Sequence, residues 1–176
     1  MTWVVDTGPL SHFAKAGWLG VLKMLAPEHR IVIPDVVDAE LRRGAAHRSC
    51  PPCVRAQDWI EVRTIDSDAE LSAFGRYHGL LVGDNGRNVG ECGVLALAEV
   101  HHWTAVVDDQ EACRAARRAG SVEVRRTLGL LCDAVRQGLL TRTMISAVAD
   151  DLARSKYRVP FEPGGFIWWA EEKGLL

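Results

Sequence analysis

The stretch Trp3-Val4-Val5-Asp6-Thr7-Gly8-Pro9-Leu10 decides the fold. Three apolar residues, two of them β-branched, end at an acid, and the chain then turns at once into a helix start. A short apolar run of this kind, bounded by turn residues, reads as a buried strand. Thr7 or Gly8 is able to cap the helix, and Pro9 suits its first turn. The same grammar recurs downstream. Ile31-Val32-Ile33 passes through Pro34-Asp35 into a helix carrying Glu40. Ala105-Val106-Val107 ends at Asp108-Asp109, ahead of a helix over 110–119 that Gly120 stops. Strand and helix in alternation specify a parallel, layered α/β domain, and in such sheets ligands bind just beyond the carboxyl ends of the strands.

Working outward, the first helix carries Leu10, Phe13, Ala14, Leu19, Leu22 and Leu25, is interrupted near Gly17 and Gly20, and ends at Pro27. The helix from Pro34-Asp35 is expected to run to Arg43, with Gly44 as its stop. Residues 44–58, including Ser49-Cys50-Pro51-Pro52-Cys53, read as a loop. Ile60 to Ile65 alternates like a strand, and Ser67-Asp68-Ala69-Glu70 has the form of a capping box before a helix to about His78. A glycine-rich lead-in over 83–90 opens the helix that holds Glu91, Leu95, Leu97 and Ala98. A short strand near Val122-Glu123-Val124 and helices over 127–137 and 142–155 complete a domain spanning 1–158. The tail, 159–176, contains Phe166, Ile167, Trp168 and Trp169 and is expected to dock on the body or to supply an interface.

Composition narrows the classes. A length of 176 residues suits one domain, 48% apolar content suffices for a core, and 25% charged content is ordinary for a globular chain. No apolar run reaches the ~18 residues of a membrane span, and the N-terminus shows no basic region ahead of an apolar one, so a cytoplasmic location is expected. Five cysteines, an odd number, point to thiols in a reducing compartment. A formal net charge of −2 argues against coating nucleic acid by bulk attraction. Local arginines at Arg42-Arg43, Arg114, Arg117-Arg118 and Arg125-Arg126 suit bidentate phosphate contacts, or else solvated helix faces.

The acids carry the chemistry. Asp6, Asp108 and Asp109 fall at strand ends. Glu40 lies four residues after Val36 and three after Val37, on the apolar face of its helix, and Glu91 bears the same relation to Val94 and Leu95. An inward carboxylate is costly unless it is paired or bound to metal. The alternative is that both glutamates occupy first helical turns, where the dipole favours acids. Four or five carboxylates converging at one sheet edge repel each other unless divalent cations sit among them, which points to metal-dependent chemistry on a phosphate ester.

Competing motifs are weaker. Cys50-Pro51-Pro52-Cys53 with His47 has the spacing of half a zinc site, but a structural zinc needs four ligands, so these read as surface thiols. His101-His102 lacks a zinc-protease pattern and reads as surface histidine. His12 falls near the acids, at their rim. The 83–90 stretch lacks the lysine and hydroxyl of a phosphate-binding loop, and Asp133, Asp150 and Asp151 read as solvated charge. A phosphatase built on Asp6 wants a second aspartate where Gly8 stands, and a receiver-type protein wants an acidic pair after the first strand and a lysine after the last; neither pattern is present.

The ordered set Val4-Val5-Asp6-Thr7-Gly8-Pro9-Leu10, Ile33-Pro34-Asp35-Val36-Val37 through Glu40-Leu41, Gly90-Glu91 with Ala96-Leu97-Ala98, Val106-Val107-Asp108-Asp109, and Thr127-Leu128-Gly129-Leu130-Leu131 with Gly138-Leu139-Leu140 resembles the PIN-domain family. That family of metal-dependent ribonucleases includes the VapC-like toxins of toxin–antitoxin pairs. The resemblance spans roughly the first 155 residues and implies a three-layer α/β/α domain with a central, mainly parallel sheet. It implies Asp6, Glu40, Glu91 and Asp109 as the catalytic acids, with Asp6, Glu91 and Asp109, or Asp108 in place of Asp109, on Mg²⁺ or Mn²⁺. Strand alternation puts Asp108 and Asp109 on opposite faces. Thr7 is placed to orient a ligand or water; Gly8 stands where many relatives carry a polar residue. Arg42, Arg43 and Arg114 are candidate substrate contacts. The resemblance further implies an RNA substrate, a small inhibitory antitoxin protein and a homodimer, with no membrane. A catalytically inactive PIN-fold RNA- or protein-binding regulator is the alternative.

Overall fold

Every residue of β1 (Trp3–Val5) and β2 (Ile31–Pro34) is buried, which requires cover on both faces of the sheet they share. The computed structural model describes residues 1–46, 52–83 and 86–176. Its sheet has five strands, all parallel, in the order β3-β2-β1-β4-β5, where β3 is Ile60–Arg63, β4 is Thr104–Val106 and β5 is Glu123–Arg125. Nine helices flank it among the described residues: α1 (Thr7–Lys15), α2 (Leu19–Leu25), α3 (Asp35–Ala46), α4 (Asp68–Leu81), α5 (Val89–His101), α6 (Gln110–Ala119), α7 (Thr127–Arg136), α8 (Arg142–Arg154) and α9 (Phe166–Glu172). This is the three-layer α/β/α arrangement with a parallel central sheet that the sequence led us to expect.

The chain leaves β1 toward β2 and β3, then crosses back to β4 and β5, so the strand order reverses between β1 and β4. Val5 lies level with Val106 in that pair. Such a reversal leaves a crevice at the carboxyl ends, the usual ligand site of an open parallel sheet. Asp6 and the pair Asp108-Asp109 follow directly on these two strands.

Helix α5 lies over the sheet and packs against β1, β2, β4, α3, α4 and α6. Cys92 through Ala98 are buried without exception. A β-carbon at Gly93 would stand 2.5 Å from Val36 Cγ2 and 3.0 Å from Pro34 Cβ, so α5 meets the β2–α3 junction too closely for any other residue. Burial pushes the Cys92 thiol up to about 12, with Glu91 adding to the shift. That thiol, beside Glu91, is no nucleophile at neutral pH.

Several local expectations need correction. Asp6, rather than Thr7 or Gly8, caps α1. Gly44 does not stop α3, which continues through Ala45 and Ala46, both strong helix formers. The capping box at Ser67 and Glu70 has both of its hydrogen bonds, but α4 runs on to Leu81. Asp133 pairs with Arg125 and Arg136, Asp151 accepts from Trp18 Nε1 at 2.9 Å, and Asp150 accepts from the Gly164 amide, so none is merely solvated. His101 is not a free surface histidine: its Nε2 lies 2.6 Å from Glu70 Oε1, and its ring stacks on Trp103. Of the motif read as surface thiols, His47 and Cys50 lie outside the described residues and Cys53 is free and exposed; Asp84 and Asn85 of the glycine-rich stretch also lie outside the described residues.

The tail packs through α9 against α8. Phe166 and Ala170 are fully buried there, Phe161 and Trp169 pack around Phe166, and Arg142 pairs with Glu171. No described helix is long and apolar enough to cross a membrane.

Candidate active site

Carboxylates gather here because helix N-termini meet here. An N-terminal turn leaves backbone N–H groups without intrahelical partners and carries partial positive charge. Asp6 accepts from the Gly8 amide at 3.0 Å as the cap of α1. Asp109 Oδ1 accepts from the Glu111 and Ala112 amides at 2.8 and 2.9 Å as the cap of α6. Asp108 Oδ1 accepts from the Thr127 amide at 2.9 Å, at the start of α7. Glu40 reaches across from α3 and accepts from the Gly90 amide at 3.1 Å, in the first turn of α5.

Glu40 is the sixth residue of α3 and not in its first turn, so its own helix dipole does not explain its inward position. Thr7 Oγ1 donates to Glu40 Oε2 at 2.6 Å, which with the Gly90 bond fixes the carboxylate from two sides. Glu91 does sit in the first turn of α5. Asn88, at the entry to α5, takes a left-handed φ of +67° that asparagine tolerates, and its side-chain amide donates to Leu81 O.

Gly90 is the point of convergence. A β-carbon there would lie 2.9 and 3.0 Å from the two Glu40 carboxylate oxygens and 3.1 Å from Asp6 Oδ1. Asp6 is only 6% exposed, and its Oδ1 is buried with no hydrogen-bond partner among the described residues. Burial, then the charges of Glu91 and Glu40, raise the Asp6 pKa well above the usual carboxylate range. Burial likewise raises Glu91, helped by Glu40 and Asp109. Asp6, Glu40 and Glu91 therefore act on one another, and Asp109 joins them through Glu91. Among the described residues no three acidic, histidine or cysteine side chains already stand at metal-ligand spacing; Asp6 and Glu40 meet over Gly90, and Glu91 acts on Asp6 through its charge.

Asp108 turns away from this group. Its Oδ2 accepts from Thr127 Oγ1 at 2.6 Å and its Oδ1 also accepts from the Tyr157 hydroxyl at 2.9 Å, which engages both oxygens and ties β4, α7 and the segment after α8 together. His12 braces Tyr157. The single Ser155 hydroxyl proton goes to Leu152 O at 2.7 Å, so Ser155 accepts from His12 Nδ1–H at 2.9 Å, and the His12 ring meets the Tyr157 ring edge-on at 5.2 Å. Burial lowers the His12 pKa, with Lys15 adding to it. This clamp is built from Thr127, Tyr157 and Ser155, none of which stands out in sequence as a partner of Asp108.

Of the candidate substrate contacts, Arg42 is turned onto Asp38, which also accepts from Arg55. Arg43 is exposed on α3. Arg114 bonds Gln110 at 3.3 Å and lines a large groove beside Asp109.

A parallel α/β sheet with acids gathered at its reversal point is the frame against which comparison with known proteins identifies the family. Residues 2–162 match the family model DUF3368, described as a PIN domain. The chain belongs to the PIN-domain family. Among solved structures it is similar to a chain in the crystal structure of VapBC2 from Rickettsia felis bound to a DNA fragment from their promoter. That match has a TM-score of 0.51 at 16% identity, covering 72% of this chain and 98% of that one. It is a likeness of fold. No curated protein matched the sequence.

Proposed function

We propose that the chain is a divalent-metal-dependent endoribonuclease and the toxin component of a toxin–antitoxin pair, acting as a homodimer. One observation carries the reading: Asp6 and Glu40 converge on Gly90, with Asp6 Oδ1 buried and left without a hydrogen bond. A buried carboxylate oxygen with no donor, ringed by other carboxylates, is what a hard cation relieves. Membership of a family whose members are generally nucleases supports phosphodiester hydrolysis. The likeness of fold to a VapBC2 chain accords with an antitoxin partner. Buried free thiols at Cys92, Cys113 and Cys132 accord with a reducing cytoplasm.

The donor set suits Mg²⁺ or Mn²⁺, because every candidate ligand is a carboxylate oxygen. Asp6, Glu91 and Asp109 would hold the ion, with Asp108 kept out by its bonds to Thr127 and Tyr157. When bound, such an ion makes a coordinated water more acidic and offsets charge on the phosphate. Glu40, fixed by Thr7 and Gly90, would orient the attacking water and take up its proton. Thr7 acts by holding Glu40.

The test is direct. Purified protein with Mn²⁺ or Mg²⁺ should cleave RNA, and Asp6→Asn should abolish cleavage while leaving the circular dichroism spectrum intact. Full activity in that variant would sink the assignment. Calorimetric titration with Mn²⁺ separates an active site from a degenerate one, which should take up no metal at micromolar to millimolar concentrations.

A further inference from the structure

Asp108 and Asp109 are neighbours in the chain, yet their carboxylates serve different partners. Asp109 caps α6 through Oδ1 and acts on Glu91 through its charge. Asp108 collects three donors: the Thr127 amide and the Tyr157 hydroxyl, both at 2.9 Å on Oδ1, and Thr127 Oγ1 at 2.6 Å on Oδ2. Its backbone carbonyl accepts from Arg126 Nη2 at 3.1 Å. Residue 108 is thus gripped at main chain and side chain alike, which fixes the direction in which residue 109 leaves it.

One of these donors is delivered at a cost. Tyr157 lies 49 residues beyond Asp108, just past α8, and Lys156 before it takes a left-handed φ of +70°. That conformation disfavours a residue with a β-carbon, and it persists where the surrounding contacts hold it. Burial and then the Asp108 charge push the Tyr157 hydroxyl far above the usual phenol range, so it stays a donor. The Tyr157 ring meets the His12 ring edge-on at 5.2 Å, and His12 Nδ1–H bonds Ser155, the C-cap of α8. His12 belongs to α1, the helix that Asp6 caps. A continuous path therefore runs from the helix of Asp6 through His12, Tyr157 and Asp108 to Asp109. It bridges β1 and β4, the adjacent strands that carry the two aspartates.

A further negative charge beside the acids is a cost, offset here by the three donors. What they secure is direction. Carboxylates that hold a cation depend on outer partners to aim them, and losing such a partner typically costs about 10–100-fold in affinity. Resting on the metal-nuclease reading above, we infer that Thr127 and Tyr157 are positioning residues acting through Asp108: they hold it off the ion and aim Asp109 at it, while His12 sets the spacing to Asp6.

Two measurements test this: Mn²⁺ affinity by calorimetry and, without metal, hydrogen exchange at Glu111 and Ala112, whose amides bond Asp109 Oδ1. Tyr157→Phe keeps the ring against His12 and loses only the hydroxyl. It should weaken Mn²⁺ binding at least about tenfold and quicken exchange at both amides. Thr127→Val should do the same, and Thr127→Ser, which restores the hydroxyl, should return both readings close to wild type. Asp108→Asn still accepts from the Thr127 amide and Tyr157 and can donate to Thr127 Oγ1. It should keep most of the Mn²⁺ affinity, whereas Asp109→Asn should lose it. The control Ser67→Ala cuts the cap of α4 and should move neither reading. Mn²⁺ loss in Asp108→Asn as complete as in Asp109→Asn makes Asp108 a ligand and overturns the proposal. Equal weakening in Ser67→Ala overturns it as well, as does either reading left unmoved by both Tyr157→Phe and Thr127→Val. A wild type that takes up no Mn²⁺, with exchange still quickened by Tyr157→Phe, overturns the nuclease reading and leaves the grip on Asp109 standing.

Discussion

At Gly90 a single missing side chain sets the geometry of the site. Gly90→Ala puts a methyl group against the free ends of Glu40 and Asp6, which can swing away. The fold should therefore lose less than about 1 kcal/mol, while Glu40 loses its place between Thr7 and the Gly90 amide. Urea unfolding close to wild type, with cleavage cut at least about tenfold, is the outcome expected for a misplaced catalytic group. Asp6→Asn works in the opposite sense on stability. It removes a charge that burial and two neighbouring glutamates disfavour, and asparagine still caps α1. Its melting temperature without metal should rise by about 2–4 °C, the shift that ~1 kcal/mol gives at this chain length. At this scale the acids were legible, because an acid ending an apolar run or sitting on an apolar helix face is conspicuous. Gly90 was not, since a glycine ahead of a glutamate gives no sign of what crosses over it from α3.

Elements are held together by groups whose partners lie far off in sequence. Glu70, 0% exposed, joins the end of β3 through Arg63 to the end of α5 through His101, and closes its own capping box. Burial alone would raise its pKa, but bonds from His101, Ser67 and Asp66 hold it far below the usual carboxylate range. A depressed folded-state value means the stabilisation is fully present above the unfolded glutamate pKa of ~4.3 and is lost as pH falls below it. Glu70→Gln should cost about 1–3 kcal/mol near neutral pH, judged by urea unfolding, with the gap to wild type narrowing below about pH 4. A gap independent of pH would contradict the ion-pair account. The βα alternation that fixed the sheet was plain in the apolar runs, and the Ser67 capping box was too. That the same Glu70 is also the buried hub for β3 and α5 was invisible, because Arg63 and His101 reach it only after the sheet and α5 assemble. Gly44 misled for the reverse reason: it has the chemistry of a stop, yet the helix around it is strong enough to run past.

For the molecule as a whole, the tail is integral to the body. Phe166→Ala at a fully buried position should cost about 3 kcal/mol, and ending the chain after residue 162 should lower the melting temperature at least as far, measured by calorimetry. Composition announced an apolar tail; the choice of α8 as its seat depends on the curvature of a surface that no local pattern encodes.

The bonds that fix Glu40 span 33 residues to Thr7 and 50 to Gly90, and Asp109 arrives later still. No fragment of the chain short of β4 carries the set of acids, and closing such long loops is a late and slow event in folding. During synthesis the acidic pocket thus takes shape only after most of the polypeptide has left the ribosome, and no shorter product holds it.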